Sequence, residues 1–212
     1  MLRTPDRFFI RRRLLAGVLA GAVAPAAAAT RPVVTVLGDS ITAGLGLTAE
    51  QALPAQLAAA LARLGVAAIV RGAGVSGDTA ADGLARLDFS VQADTAVCLV
   101  ALGGNDLLQG LDPKETNDSL EAIVRRLRAR RIGVVLAGLA APNAVGAGYV
   151  RAFEAIFLEI ARTEHVPLYP DLLAGVGPGR RQGDGLHPNA AGVKTIAAGL
   201  APLVAKALAG RR

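Results

Sequence analysis

The sequence predicts an α/β fold with three layers, helices covering both faces of a five-stranded parallel sheet. Two observations carry this expectation. Short β-branched apolar runs alternate along the chain with segments of helical period, the pattern of an open parallel sheet wrapped by helices. The apolar runs are also nearly continuous rather than alternating, as strands are when both of their faces are covered.

In chain order, the first expected strand is 33–37, Val-Val-Thr-Val-Leu, followed by an apolar-striped helix at 54–64 and a second strand at 67–70. The third strand, 95–101, contains Cys98, the only cysteine of the chain. Its place in Val97-Cys98-Leu99-Val100 makes it a small buried hydrophobe, and one cysteine allows no intramolecular disulfide. The helix at 113–130 has the clearest start signal, with Asp112 as N-cap, Pro113 in the first helical position and Glu115 in the third. Leu120, Ile123, Val124 and Leu127 form its buried stripe, and Arg125, Arg126, Arg128, Arg130 and Arg131 form a solvated face near its carboxyl end. A fourth strand at 134–140, a helix at 149–164, a fifth strand at 166–169 and a last helix at 190–208 complete the alternation. Residues 30–212 read as one domain.

The first 29 residues read differently. A basic stretch ends in Arg11-Arg12-Arg13, an apolar run covers 14–24, and Ala26-Ala27-Ala28-Ala29 offers small-residue cleavage sites, the layout of an export signal peptide. The run is too short and too rich in Ala and Gly for a stable membrane anchor, which needs about 20 strongly apolar residues. The double arginine resembles a twin-arginine signal, although Ile10 and Leu14 depart from its usual neighbours. The mature protein is therefore expected in the periplasm or secreted, as a monomer.

Charge narrows the function further. The whole chain holds 23 Lys+Arg against 17 Asp+Glu. Five of those basic residues and one acidic residue lie within residues 1–29, so the remainder is close to neutral. It lacks the excess positive charge that drives phosphate-backbone binding, and nucleic acid is excluded as a partner. Two distant histidines and a single cysteine imply no metal and no cofactor. There is neither a Gly-rich loop ending in Lys-Ser or Lys-Thr nor a Gly-x-Ser-x-Gly elbow.

Sites in a doubly wound sheet form at the carboxyl ends of strands. Three such loops carry unusual residues: Gly38-Asp39-Ser40-Ile41-Thr42, Gly74-Val75-Ser76-Gly77-Asp78-Thr79, and Gly103-Gly104-Asn105-Asp106. A fourth block, Asp184-Gly185-Leu186-His187-Pro188-Asn189, lies near the carboxyl end. A serine attacks a carbonyl only if a base takes its proton, and His held by a carboxylate is the best base near neutral pH. Asp184 lies three residues before His187, so one turn aims the carboxylate at Nδ1 and leaves Nε2 for a serine. His165 has no such partner and is expected to cap the end of the preceding helix. Of the four serines, Ser40 directly follows a strand, in a loop expected to lead into irregular chain. Its N–H and that of Gly77 can face a developing oxyanion, and Asn105 adds a donor that does not titrate. Asp39 and Asp106 could be paired carboxylates of a glycosidase, or loop anchors that accept backbone N–H groups; the second reading is preferred. Each block alone occurs often in ordinary turns; all four in order after strands point to a site.

These four blocks resemble the motifs of the SGNH (GDSL-type) hydrolases, and the likeness spans nearly all of the mature chain. It is greatest to a bacterial branch described as acyl-CoA thioesterases, arylesterases and lysophospholipases. The resemblance implies a flavodoxin-like sheet and a serine hydrolase of small-molecule acyl esters or thioesters. It implies Ser40 as nucleophile, Asp184 and His187 as the base pair, and Ser40, Gly77 and Asn105 as the oxyanion hole. A carbohydrate O-acetylesterase of the same fold and a catalytically silent ligand-binding domain are the alternatives. One departure is that relatives often carry an Asn shortly before the second-block glycine, where this chain reads Arg71-Gly72-Ala73-Gly74. A hydrogen bond supporting that loop is expected to be absent.

Overall fold

The computed structural model describes residues 1–2, 31–141 and 146–211. The expected export segment, apart from Met1 and Leu2, lies outside them. Five strands, β1 (Val33–Gly38), β2 (Ile69–Gly74), β3 (Thr95–Ala101), β4 (Gly133–Ala137) and β5 (Leu168–Tyr169), form one sheet in the order β2-β1-β3-β4-β5. All neighbours are parallel. This is the expected flavodoxin-like order, and its switch point lies where the chain turns from β1 outward to β2 and then back across to β3.

Burial explains the strands. Val34, Val36, Leu37, Val97, Leu99 and Val100 are wholly inaccessible, as both faces of β1 and β3 are covered. The long helices are α2 (Leu53–Arg63), α6 (Pro113–Ala129), α7 (Ala147–Thr163) and α8 (Ala190–Ala209). In α6 the Asp112 carboxylate accepts the Lys114 N–H at 2.8 Å, and Thr116, Leu120, Ile123, Val124 and Leu127 are buried. In α7 the buried Phe153 meets Phe157 edge-on at 5.6 Å, a favourable ring geometry. Helix α8 is long and apolar enough to cross a membrane by length and composition. It packs against α2, with Val193, Ile196, Leu200 and Val204 fully buried.

The structure corrects several sequence expectations. Strand β2 starts two residues later than read and continues through Arg71-Gly72-Ala73-Gly74, pairing with β1 from Val33↔Ile69 to Gly38↔Gly74. It is an edge strand of mixed exposure, so the apolar-run signal fades where pairing does not. Strand β4 ends at Ala137, and β5 has only two residues. Four short helices, α1 (Ser40–Ala43), α3 (Ala80–Ala85), α4 (Leu87–Ser90) and α5 (Gly104–Gln109), were not expected. Each is shorter than two turns and so shows no periodicity. Ser40 therefore opens a helical turn rather than irregular chain. The arginine face of α6 is not merely solvated either, since Arg125 and Arg128 reach the buried Glu164 at 2.9 and 2.5 Å. His165 follows α7 in the left-handed region, at φ 51°. Its side chain makes no hydrogen bond among the described residues, so it does not cap the helix through its imidazole.

The end of β2 lies hard against α1. A Cβ at Gly74 would stand 2.4 Å from the Ala43 nitrogen and 2.7 Å from the Asp39 carbonyl, and neither backbone atom can swing away. Gly74→Ala is expected to cost about 1–3 kcal/mol of stability, the usual penalty of overpacking, and to lower activity by displacing α1. Gly179→Ala, where a Cβ meets nothing within 4 Å, should change stability by less than about 0.5 kcal/mol. Urea denaturation of both variants is the measurement; equal stabilities would refute the close-approach argument.

Candidate active site

Ser40 stands two residues beyond β1, at the first position of α1. The Asp39 carboxylate is the N-cap, accepting the Ile41 N–H at 3.0 Å. This leaves the Ser40 N–H as an unpaired donor of the first turn, with no acceptor among the described residues. The hydroxyl reaches across the fold: Ser40 Oγ lies 2.9 Å from His187 Nε2, 147 positions away in sequence.

His187 is held by its own loop. Asp184 Oδ2 lies 2.6 Å from His187 Nδ1, while Oδ1 accepts the Leu186 and His187 N–H groups at 2.9 and 3.0 Å. Gly185 supplies the left-handed turn between them, at φ 69°, which few side chains tolerate. The bond to His187, and then those two N–H groups, hold the Asp184 carboxyl down at about 2. An ionised carboxylate only accepts, so His187 carries a proton on Nδ1 and Nε2 is free to accept from Ser40. The loop is closed at its base by the Arg181↔Pro188 bridge and by the Gln182 N–H donating to the His187 carbonyl at 2.8 Å. Gln182 Nε2 also donates to the Leu45 carbonyl at 2.8 Å, fastening the loop to the chain just after α1.

The other two expected residues border the same cavity. Gly77 has φ 91°, and a Cβ there would meet nothing within 4 Å; its N–H has no acceptor among the described residues. Asn105 sits in α5 just after β3, and its Nδ2 donates to the Asp78 carbonyl at 2.8 Å. One of its two N–H groups is thus tied to the loop of Gly77, and the other is left available. Ser40, Gly77, Asn105 and His187 form the polar wall of a cavity of about 710 Å³ whose other walls include Ile41, Leu107, Leu139 and Leu173. Leu45, Leu108 and Leu186 stand at it partly exposed. Ala141 also lines the cavity, and residues 142–145, which follow it, lie outside the described ones.

The two remaining acids are anchors. Asp39 caps α1, and Asp106 accepts the Ala80 N–H at 2.9 Å and the Thr116 hydroxyl at 3.1 Å. Among the described residues no group of three or more His, Cys, Asp and Glu is placed to hold a metal ion. The sequence reading did not mark the apolar wall, Gln182 or Asp78. Asp78 lies within the second block and Ile41 within the first, but their roles depend on partners distant in sequence, and only the tertiary structure brings Gln182 and the leucines to the site.

A hydroxyl, an imidazole and a carboxylate in series, at the carboxyl end of a parallel sheet and beside free backbone donors, are the equipment of a serine hydrolase. Comparison with known proteins narrows the class. Residues 36–194 match the GDSL-like lipase/acylhydrolase family, and the chain belongs to that family. It is 38% identical to esterase TesA of Pseudomonas aeruginosa over 84% of this chain and 90% of that one. It is 36% identical to thioesterase 1/protease 1/lysophospholipase L1 of Escherichia coli K12, over 76% and 78% of the two chains. The crystal structure of AlinE4, an SGNH-hydrolase family esterase, superposes with a TM-score of 0.71 at 40% identity, covering 84% of this chain and 97% of that one. The chain is a hydrolase acting on ester bonds.

Burial separates the two carboxylates nearest His187. Asp39 is 5% exposed, and desolvation lifts its pKa to about 6, against the weaker pull of the Ile41 N–H and of His187. A folded-state value above the unfolded one means a stabilising contribution that is present below about pH 3.8 and lost as pH rises through about 6. Asp39→Asn keeps the acceptor for Ile41 and removes the charge. It is expected to raise stability at pH 8 by up to about 3 kcal/mol, with a much smaller gain at pH 4. Chemical denaturation at the two pH values checks this; a gain independent of pH would refute it.

Proposed function

We propose that this protein hydrolyses carboxylic esters and thioesters of apolar acyl groups through an acyl-enzyme on Ser40. The observation that carries the reading is the relay Ser40–His187–Asp184 at the polar end of a leucine-lined cavity. His187 Nε2 takes the hydroxyl proton as Ser40 Oγ attacks the carbonyl carbon. The negative charge that develops on the carbonyl oxygen is received by the N–H groups of Ser40 and Gly77 and by Asn105 Nδ2. Collapse of the tetrahedral intermediate expels the alcohol or thiol, which receives the proton from His187. Water then attacks the acyl-enzyme with His187 again as base, and Ser40 is released. Asp184 stays ionised throughout, fixing the tautomer and stabilising the imidazolium.

The apolar wall favours an acyl chain over a sugar, so the esterase and thioesterase reading stands ahead of the carbohydrate O-acetylesterase. The names of the relatives, an esterase and a thioesterase/lysophospholipase, point the same way. We further propose that residues 1–29 direct export and are removed, leaving a monomeric mature domain in the periplasm or outside the cell. The compact unit that begins at Arg31 supports that boundary.

Ser40→Ala is expected to abolish turnover of a chromogenic short-chain ester while leaving the melting curve unchanged, because only a hydroxyl is lost. Ser76→Ala, which also borders the cavity, should retain activity. The reverse outcome in folded protein would remove Ser40 as nucleophile.

Mass spectrometry of protein recovered from the periplasm or medium is expected to show a new amino terminus after Ala26. A full-length species confined to the cytoplasm would overturn the export proposal.

A further inference from the structure

The oxyanion hole draws its three donors from loops after three different strands, and the middle one has little local support beyond a single turn bond from the Asp78 N–H to the Val75 carbonyl at 3.2 Å. Ser40 is anchored by its helix cap and Asn105 by α5. Gly77 sits in a turn with positive φ and open space around it. The Arg71-Gly72-Ala73-Gly74 stretch before it offers no side-chain support of the kind expected from an asparagine.

We propose that Arg86 is the positioning residue that supplies this support, an inference that rests on the catalytic reading above. Arg86 lies at the junction of α3 and α4, and its guanidinium bridges four partners. Nη2 donates to the Gly38 carbonyl at 2.9 Å, at the end of the nucleophile strand. Nη1 donates to the Ala73 carbonyl at 3.0 Å, at the end of β2, and to Ser90 Oγ at 2.9 Å. Nε donates to Asp78 Oδ2 at 2.5 Å. Asp78 directly follows Gly77, and its carbonyl is the acceptor of Asn105 Nδ2. One rigid cation thus fixes the end of β1, the end of β2 and the Gly77 loop, and through Asp78 it reaches the third donor. The side chains of Arg86 and Asp78 are only 20% and 12% exposed, so water does not replace these bonds.

The planar fork is essential to the role. A lysine ammonium is a point donor and cannot address acceptors on several sides in one plane. Donors of the oxyanion hole act on the transition state and not on the bound ester, so misplacing them lowers kcat and leaves KM nearly unchanged.

The test uses purified mature protein and a soluble short-chain ester. Arg86→Met is expected to lower kcat about a hundredfold, the scale of an ångström-sized misplacement, with KM within about threefold. Its inactivation by an aryl phosphonate, which needs the same donors, should slow in parallel. Arg86→Lys should recover only part of the loss. In Arg86→Met/Asn105→Ala the combined loss should fall well short of the product of the single losses, because both act through one hole. If Arg86→Met does not fold, Asp78→Asn, which keeps the carbonyl contact to Asn105, carries the test with the same kcat signature. A folded Arg86→Met or Asp78→Asn enzyme with kcat within twofold of wild type, or losses that multiply in the double variant, overturns the proposal. Ser40→Ala is assayed alongside. If it is inactive while the Arg86 variant is unimpaired, only the role of Arg86 falls; if it is active, the catalytic reading falls as well.

Discussion

A single side-chain hydrogen bond, from Ser40 Oγ to His187 Nε2, joins parts of the chain 147 residues apart, and much of the fold can be understood as what makes it possible. Neither residue can find the other by local structure. A parallel sheet resolves this, because every strand runs in the same direction and all following loops emerge at one end. The cost is a long crossover after each strand, and these crossovers are the helices that bury the sheet on both faces. The apolar core therefore does more than stabilise. By locking β1 between β2 and β3 it sets the height at which Ser40 leaves the sheet, and by packing α8 against α2 it sets where the preceding loop delivers His187.

The electrostatics of the site follow from how unequally its carboxylates are buried. Asp184 has a half-exposed side chain and three donors, one imidazole N–H and two backbone N–H groups. It is kept charged by hydrogen bonds rather than by depth. Asp39 is buried with one backbone partner on the adjoining turn, and desolvation pushes its proton on. Two carboxylates near one histidine thus do different work: the exposed one orients the imidazole through Nδ1, and the buried one shapes the helical turn that presents Ser40. Exchanging those environments would leave His187 without a reliably ionised partner.

The sequence disclosed features that local rules produce. Continuous apolar runs placed the central strands, and the Asp112-Pro113 start placed α6. Asp184 three residues before His187, with Ser40 just after a strand, was enough to single out those three as a group. Features that depend on distant partners were hidden. The Arg71-Gly72-Ala73-Gly74 stretch has no apolar signal, yet it is strand because β1 offers it a ladder. Helices of four to six residues, such as α1 and α5, are stabilised by caps and by the sheet rather than by a repeating stripe. Gln182 and Arg86 are ordinary polar residues in sequence, and their value lies in carbonyls contributed by Leu45, Gly38 and Ala73.

The last constraint concerns rigidity. An oxyanion hole works because its donors are already aimed before charge appears, so the reaction does not have to reorganise them. Glycine at position 77 lets the backbone approach a substrate closely, but it is also the residue least able to hold a conformation. The proposed oxyanion hole meets both demands by separating them: the donor assigned to it stands on a bare glycine, and the stiffness comes from neighbours. Asp78 receives Asn105 on its carbonyl and Arg86 on its carboxylate, while Thr79 begins α3 with a capping box closed by Asp82. The loop is therefore bounded by the strand end on one side and a capped helix on the other. Freedom remains at Gly77 itself, and is removed from the residues that decide where its N–H points.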